Sequence, residues 1–97
     1  MQWRRAVNAF RIENDLKGIM DRSQLRAARA LLGWSQERLA EASGVSIPTI
    51  KRLEPGEGLV QTRVDTLDKL RRALEAAGVV FTDGGEPGVK LRRKGEL

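Results

Sequence analysis

The chain has no cysteine, no histidine and no tyrosine. Without cysteine it can form neither a disulfide nor a thiolate metal site, which suits a reducing compartment. Without histidine it lacks the usual general base near neutral pH and the commonest metal ligand. No glycine-rich phosphate loop follows a strand-like segment, and the acids fall on helix surfaces or in turns without an enclosed pocket to tune them. No catalytic residue, metal or cofactor is therefore expected, and the chain does not read as an enzyme. No apolar run approaches a membrane span and no secretory signal opens the sequence. A cytoplasmic location without a membrane partner is the expectation.

What is present is charge and helical patterning. Eighteen lysines and arginines against thirteen acids leave a net charge of +5. Cations exceed acids over residues 1–54 and again after residue 78, whereas residues 55–78 are balanced. A basic excess is compatible with a phosphate-rich partner bound through counterion release, and equally with an ordinary soluble protein. The 97 residues suffice for one small domain with a modest core.

Leu25 to Glu54 carries the densest pattern. Three short helical segments follow one another, broken at Gly33 and Gly44. Leu25, Ala28 and Leu32 share one helical face; Leu39, Ala40 and Ser43 share a second; Val45, Ile50 and Leu53 share a third. Ser35 is a good N-cap for the middle segment, and Gly44 supplies the left-handed backbone that ends it. Ala40 and Gly44 are small enough to let the next helix approach closely. Two helices joined by a tight glycine-containing turn form a helix-turn-helix, whose second member enters the DNA major groove.

Leu25, Arg29, Leu32, Gly33, Ser35, Gln36, Leu39, Ala40, Gly44, Val45, Ser46, Thr49, Ile50, Leu53 and Glu54 together resemble the lambda-repressor-like, Cro-type helix-turn-helix, also called the xenobiotic response element family. The likeness continues more loosely through Leu67, Leu70 and Leu74. It implies a mainly α fold of four to five short helices. It also implies that Gln36 holds its helix against the DNA backbone, and that Arg29 forms a structural ion pair with Glu54. Arg22 and Arg26 are then left free to approach DNA.

Three sections are expected along the chain. Residues 1–20 form an extension, partly ordered or a short helix, with Trp3, Ala6, Val7 and Phe10 at helical spacing. Residues 21–78 form the helix-turn-helix domain. Its first helix is expected to be capped by Ser23. After the breaker run Pro55–Gly58, a fourth helix is expected with Thr62 as cap, Asp65 in the capping-box position, and a buried stripe of Leu67, Leu70 and Leu74 led by Val64. Residues 79–97 form a C-terminal β-hairpin and basic tail: Val79, Phe81, Val89 and Leu91 alternate with Val80, Thr82, Lys90 and Arg92 around a glycine-rich turn. A lone hairpin is marginal in water, so it must pack on the helices or meet another copy.

The expected DNA-binding residues are Ser35, Gln36, Ser46, Ile47, Thr49, Lys51 and Arg52. Gln36, one position past the Ser35 cap, can address a phosphate or merely cap locally. Lys51 or Arg52 can reach guanine O6 and N7, and Ile47 or Thr49 a thymine methyl. Pro48 disfavours helical geometry at Ile47, which predicts a helix beginning at Pro48, and its ring cannot hydrogen-bond a base. The reading is a sequence-specific regulator of transcription that represses as a homodimer on double-stranded DNA. An antitoxin that also grips a toxin, and an interaction module without DNA, are the alternatives. The dimer joint is expected in the hairpin or along the fourth helix through Leu59 and Val60.

Overall fold

The computed structural model describes residues 19–82 and 86–92. The expected extension over residues 1–18, the turn at 83–85 and the tail at 93–97 lie outside the described residues. Four helices, α1 (Arg22–Leu32), α2 (Gln36–Ser43), α3 (Ile47–Leu53) and α4 (Val64–Ala76), are followed by the antiparallel hairpin β1 (Val79–Thr82) and β2 (Gly88–Leu91).

Helix α1 starts two residues earlier than a Ser23 cap would place it. Asp21 is its N-cap, and the Asp21 N–H donates to Gln24 Oε1 at 2.9 Å. The Asp21-Arg22-Ser23-Gln24 spacing is that of a capping box, and this pairing outcompetes a lone serine hydroxyl. Gly33 at φ 67° and Gly44 at φ 79° end α1 and α2 in the left-handed conformation. A Cβ on Gly44 would meet nothing within 4 Å. Gly44 is therefore required by its backbone angle, not by close helix approach.

Helix α3 begins at Ile47, one residue ahead of the expected Pro48. The Ser46 hydroxyl accepts the Thr49 N–H at 3.3 Å, which sets the first turn. Pro48 sits in that turn, where a missing N–H costs no intrahelical bond. Helix α4 begins at Val64 with Arg63 as N-cap, so Thr62 is not the cap. Asp65 satisfies the helix start itself by accepting the Thr66 N–H at 2.9 Å. Desolvation pushes the Asp65 carboxyl up, but the Arg63 guanidinium, the Thr66 N–H and Lys69 together hold it below its usual value. Val64 is 80% exposed and does not lead the buried stripe.

Leu25, Leu39, Ile50, Leu53, Leu70 and Leu74 are fully buried together, and each contributes about 1.5–3 kcal/mol by leaving water. Met20 joins this core at 1% exposure, so the folded unit reaches back into the segment read as extension. Its carbonyl accepts the Val60 N–H at 2.8 Å, and the Arg22 N–H donates to the Gly58 carbonyl at 2.9 Å. These bonds clip the α3–α4 loop to the start of α1. Val60 is consequently buried and is no part of an exposed dimer surface.

The hairpin packs on the helices of its own chain. Val79 and Phe81 are buried in the core, while Val89 is half-buried and Leu91 is exposed. Gln24, itself buried, plugs the hairpin onto α1 by donating from Nε2 to the Thr82 carbonyl at 3.1 Å and the Gly88 carbonyl at 3.0 Å. Arg71, buried on α4, lies over the Phe81 ring at 4.6 Å and pairs with Glu75 at 3.1 Å.

Candidate nucleic-acid interface

Helices α2 and α3 form one open surface. Alternation of buried and exposed positions on α3 follows from its anchoring: Ile50 and Leu53 are fully buried beside Val45. That orientation turns Ser46, Pro48, Lys51 and Arg52 fully outward and leaves Ile47 and Thr49 half-exposed. All five expected α3 residues therefore lie on or beside one surface. The Ser46 hydroxyl donates to Thr49 Oγ1 at 2.8 Å, so the two polar side chains of the first turn are mutually oriented.

The start of α2 borders the same surface. The Ser35 hydroxyl accepts the Arg38 N–H at 3.0 Å, leaving the N–H groups of Gln36 and Glu37 without intrahelical acceptors. Gln36 is half-buried and its Nε2 donates to Glu54 Oε1 at 3.0 Å. Its side-chain amide is thus tied to the end of α3, a role that neither a phosphate contact nor local capping describes. Trp34, just before the cap, carries the Arg38 guanidinium 4.9 Å over its ring. Exposed Glu37, Arg38 and Glu41 line the groove between α2 and the start of α3, and Arg38 is paired with Glu41 at 3.5 Å, so the excess positive charge of the surface lies on the second half of α3.

What holds α3 in this pose is a set of three arginines on α1. Arg29 forms a two-pronged pair with Glu54, Nε to Oε2 at 2.8 Å and Nη2 to Oε1 at 3.1 Å, and donates from Nη1 to the Trp34 carbonyl at 2.8 Å. Glu54 is 3% exposed, so this pair is shielded. Arg22 and Arg26 are not free to approach DNA. Arg22 Nη1 donates to the Leu53 carbonyl at 2.7 Å, and Arg26 Nη1 donates to the carbonyls of Glu54 and Gly56, the latter at 2.8 Å. The last carbonyls of a helix have no intrahelical donor and carry partial negative charge, which guanidinium groups satisfy and neutralise. The spacing of Arg22, Arg26 and Arg29 at intervals of four and three is visible in the sequence and places all three on one face of α1. Their common target, twenty-five to thirty-three residues away, is not.

Among the described residues no cluster of acids could hold a metal ion, and no helix is long and apolar enough to cross a membrane. A helix-turn-helix family profile matches residues 25–77, from the first turn of α1 to the end of α4. No curated protein and no solved structure matches the chain significantly.

Proposed function

The chain belongs to the lambda-repressor-like (xenobiotic response element) family of helix-turn-helix DNA-binding regulators, and we propose that it represses transcription by occupying a palindromic operator as a homodimer. The observation that carries this reading is the fixed pose of α3. Its apolar side is sealed into the core, its end is gripped by Arg22, Arg26, Arg29 and Gln36, and its outward side offers two cations beside small polar and apolar groups. A rigid helix with that outward surface suits the major groove, where base edges present acceptors at guanine and a methyl at thymine.

In this reading Arg52 and Lys51 address guanine, while Ile47 and Thr49 meet a thymine methyl. Ser46 and the amide groups of Ser35 and Gln36 engage phosphate, fixing register without carrying sequence information. Pro48 contributes only apolar contact. One such domain reads few base pairs, too little to single out one site among the ~10⁶–10⁹ competitors in a genome. Two-fold pairing doubles the site and sets half-site centres roughly 34–36 Å apart.

Selection of bound sequences from a random duplex library with the purified protein tests the proposal. A two-fold symmetric motif with a guanine in each half-site is the expected product. Recovery of unselected sequence at low salt would remove the operator reading and favour an interaction module.

A further inference from the structure

The hairpin has one open edge, and its register fixes which backbone groups that edge presents. Arg92 N–H donates to the Gly78 carbonyl at 2.7 Å. In the same register Val80 with Lys90 and Thr82 with Gly88 are the hydrogen-bonded pairs, and Val79 with Leu91 and Phe81 with Val89 are not. The N–H and C=O groups of Val89 and Leu91 therefore point away from β1, and no backbone group among the described residues meets them. The other edge is closed, because Val79 and Phe81 are 2% and 7% exposed.

Apolar surface flanks the open edge. Gln24 holds Gly88 near the start of α1. Helix α1 and β2 pack directly against each other. Leu91 on β2 and Leu31 on α1 are both among the exposed large apolar side chains, at 44% and 43%.

We propose that β2 pairs antiparallel with β2 of a second copy across a two-fold axis at Val89, so that two hairpins join into one four-stranded sheet. The inference rests on the dimeric reading above and assigns its joint. Charge excludes two registers and proline disfavours a third. An axis at Lys90 sets Lys90 against itself, and an axis at Leu91 sets Lys90 against Arg92; like charges directly opposite destabilise a strand pair. An axis at Gly88 opposes Val89 to Pro87, which has no N–H to return. An axis at Val89 sets no like charges opposite each other and moves the missing Pro87 N–H outward to the Leu91 pair, so that the central bonds are kept. The two Val89 residues exchange both backbone bonds, and Leu91 N–H donates to the carbonyl of the partner's Pro87. Lys90 faces the partner's Gly88, and Arg92 faces the partner's Glu86 at a non-hydrogen-bonded position, where side chains come closest. Glu86 and Arg92 are both exposed, and neither forms an ion pair among the described residues.

The absence of native cysteine permits a direct test. Under mild oxidation Val89→Cys is expected to give a disulfide-linked dimer, since Cα atoms of a hydrogen-bonded antiparallel pair lie about 5.5 Å apart, within disulfide range. Lys90→Cys is expected to link far more slowly. In sedimentation, Arg92→Glu should weaken dimerisation about tenfold by turning two attractive pairs repulsive, and Glu86→Arg combined with Arg92→Glu should restore it. Both charge variants are at exposed positions, so they stay informative if Val89→Cys disturbs packing. A dimer that withstands Arg92→Glu, or faster linking through Lys90→Cys, overturns this joint and leaves a dimeric regulator with its interface elsewhere. A protein that stays monomeric when bound to DNA overturns the joint and the dimeric reading together.

Discussion

Replacing Glu54 with alanine is expected to cost the domain about 3 kcal/mol, the low end of the range for breaking a buried ion pair by removing one partner. The carboxylate is 3% exposed and accepts from Arg29 Nε at 2.8 Å, Arg29 Nη2 at 3.1 Å and Gln36 Nε2 at 3.0 Å. Truncation strands a guanidinium that retains only the Trp34 carbonyl. The Arg29 side chain is 25% exposed, so water recovers part of the loss, which is why the low end applies. At about 4–8 °C per kcal/mol for a domain of this size, the midpoint should fall by roughly 12–24 °C. Thermal and urea unfolding followed by circular dichroism measure this directly. Arg29→Ala together with Glu54→Ala should cost less than the two single losses summed, because removing both ends leaves no stranded charge. A loss below about 1 kcal/mol, in the range of an exposed pair, or strict additivity of the two, would refute the claim that this pair ties α3 to α1.

Three further outcomes follow from the same geometry. Gln24→Leu should cost about 1–3 kcal/mol by orphaning buried polar groups, and hydrogen exchange should show faster opening of the hairpin amides than of α1; uniform loss across the chain would contradict its role as a latch. Gly44→Ala should cost about 1–2 kcal/mol from the left-handed backbone alone, and a much larger loss in urea unfolding would mean that steric room matters after all. The logarithm of DNA affinity should fall linearly with the logarithm of salt, with a slope near −0.9 for each phosphate neutralised; fluorescence anisotropy that finds no slope would remove the phosphate contacts.

Local signals carried most of the fold. The left-handed glycines, the apolar faces of α1 to α4 and the alternation of the hairpin are short-range patterns, and each marks its element within a residue or two. Helix starts were less legible because several residues compete for each cap. Ser23 and Thr62 look like caps, but Asp21 pairs with Gln24 and Asp65 serves the first turn of α4 directly. The surface of α3 was legible because burial of Ile50 and Leu53 dictates which residues remain outside. What tethers that helix was only partly so. Arg22 and Arg26 read as free cations because their acceptors are backbone carbonyls, which no residue type announces. Gln24 was missed for the same reason, its acceptors lying in a hairpin fifty-eight and sixty-four residues away. The hairpin's own core contribution depends on the same long-range contacts, so deleting it would remove Val79 and Phe81 from the core as well as any joint.

Base reading by the outward face of α3 underlies the proposed function. The most direct test measures the affinity of the intact protein and of its Arg52→Ala and Lys51→Ala variants for the selected operator and for random duplex at one salt concentration. At least one variant is expected to lose roughly 1–3 kcal/mol on the operator and to relax preference at a single base pair, with a much smaller loss on random duplex. Equal losses on both duplexes for both variants would contradict base reading, because those cations would then be meeting phosphate alone.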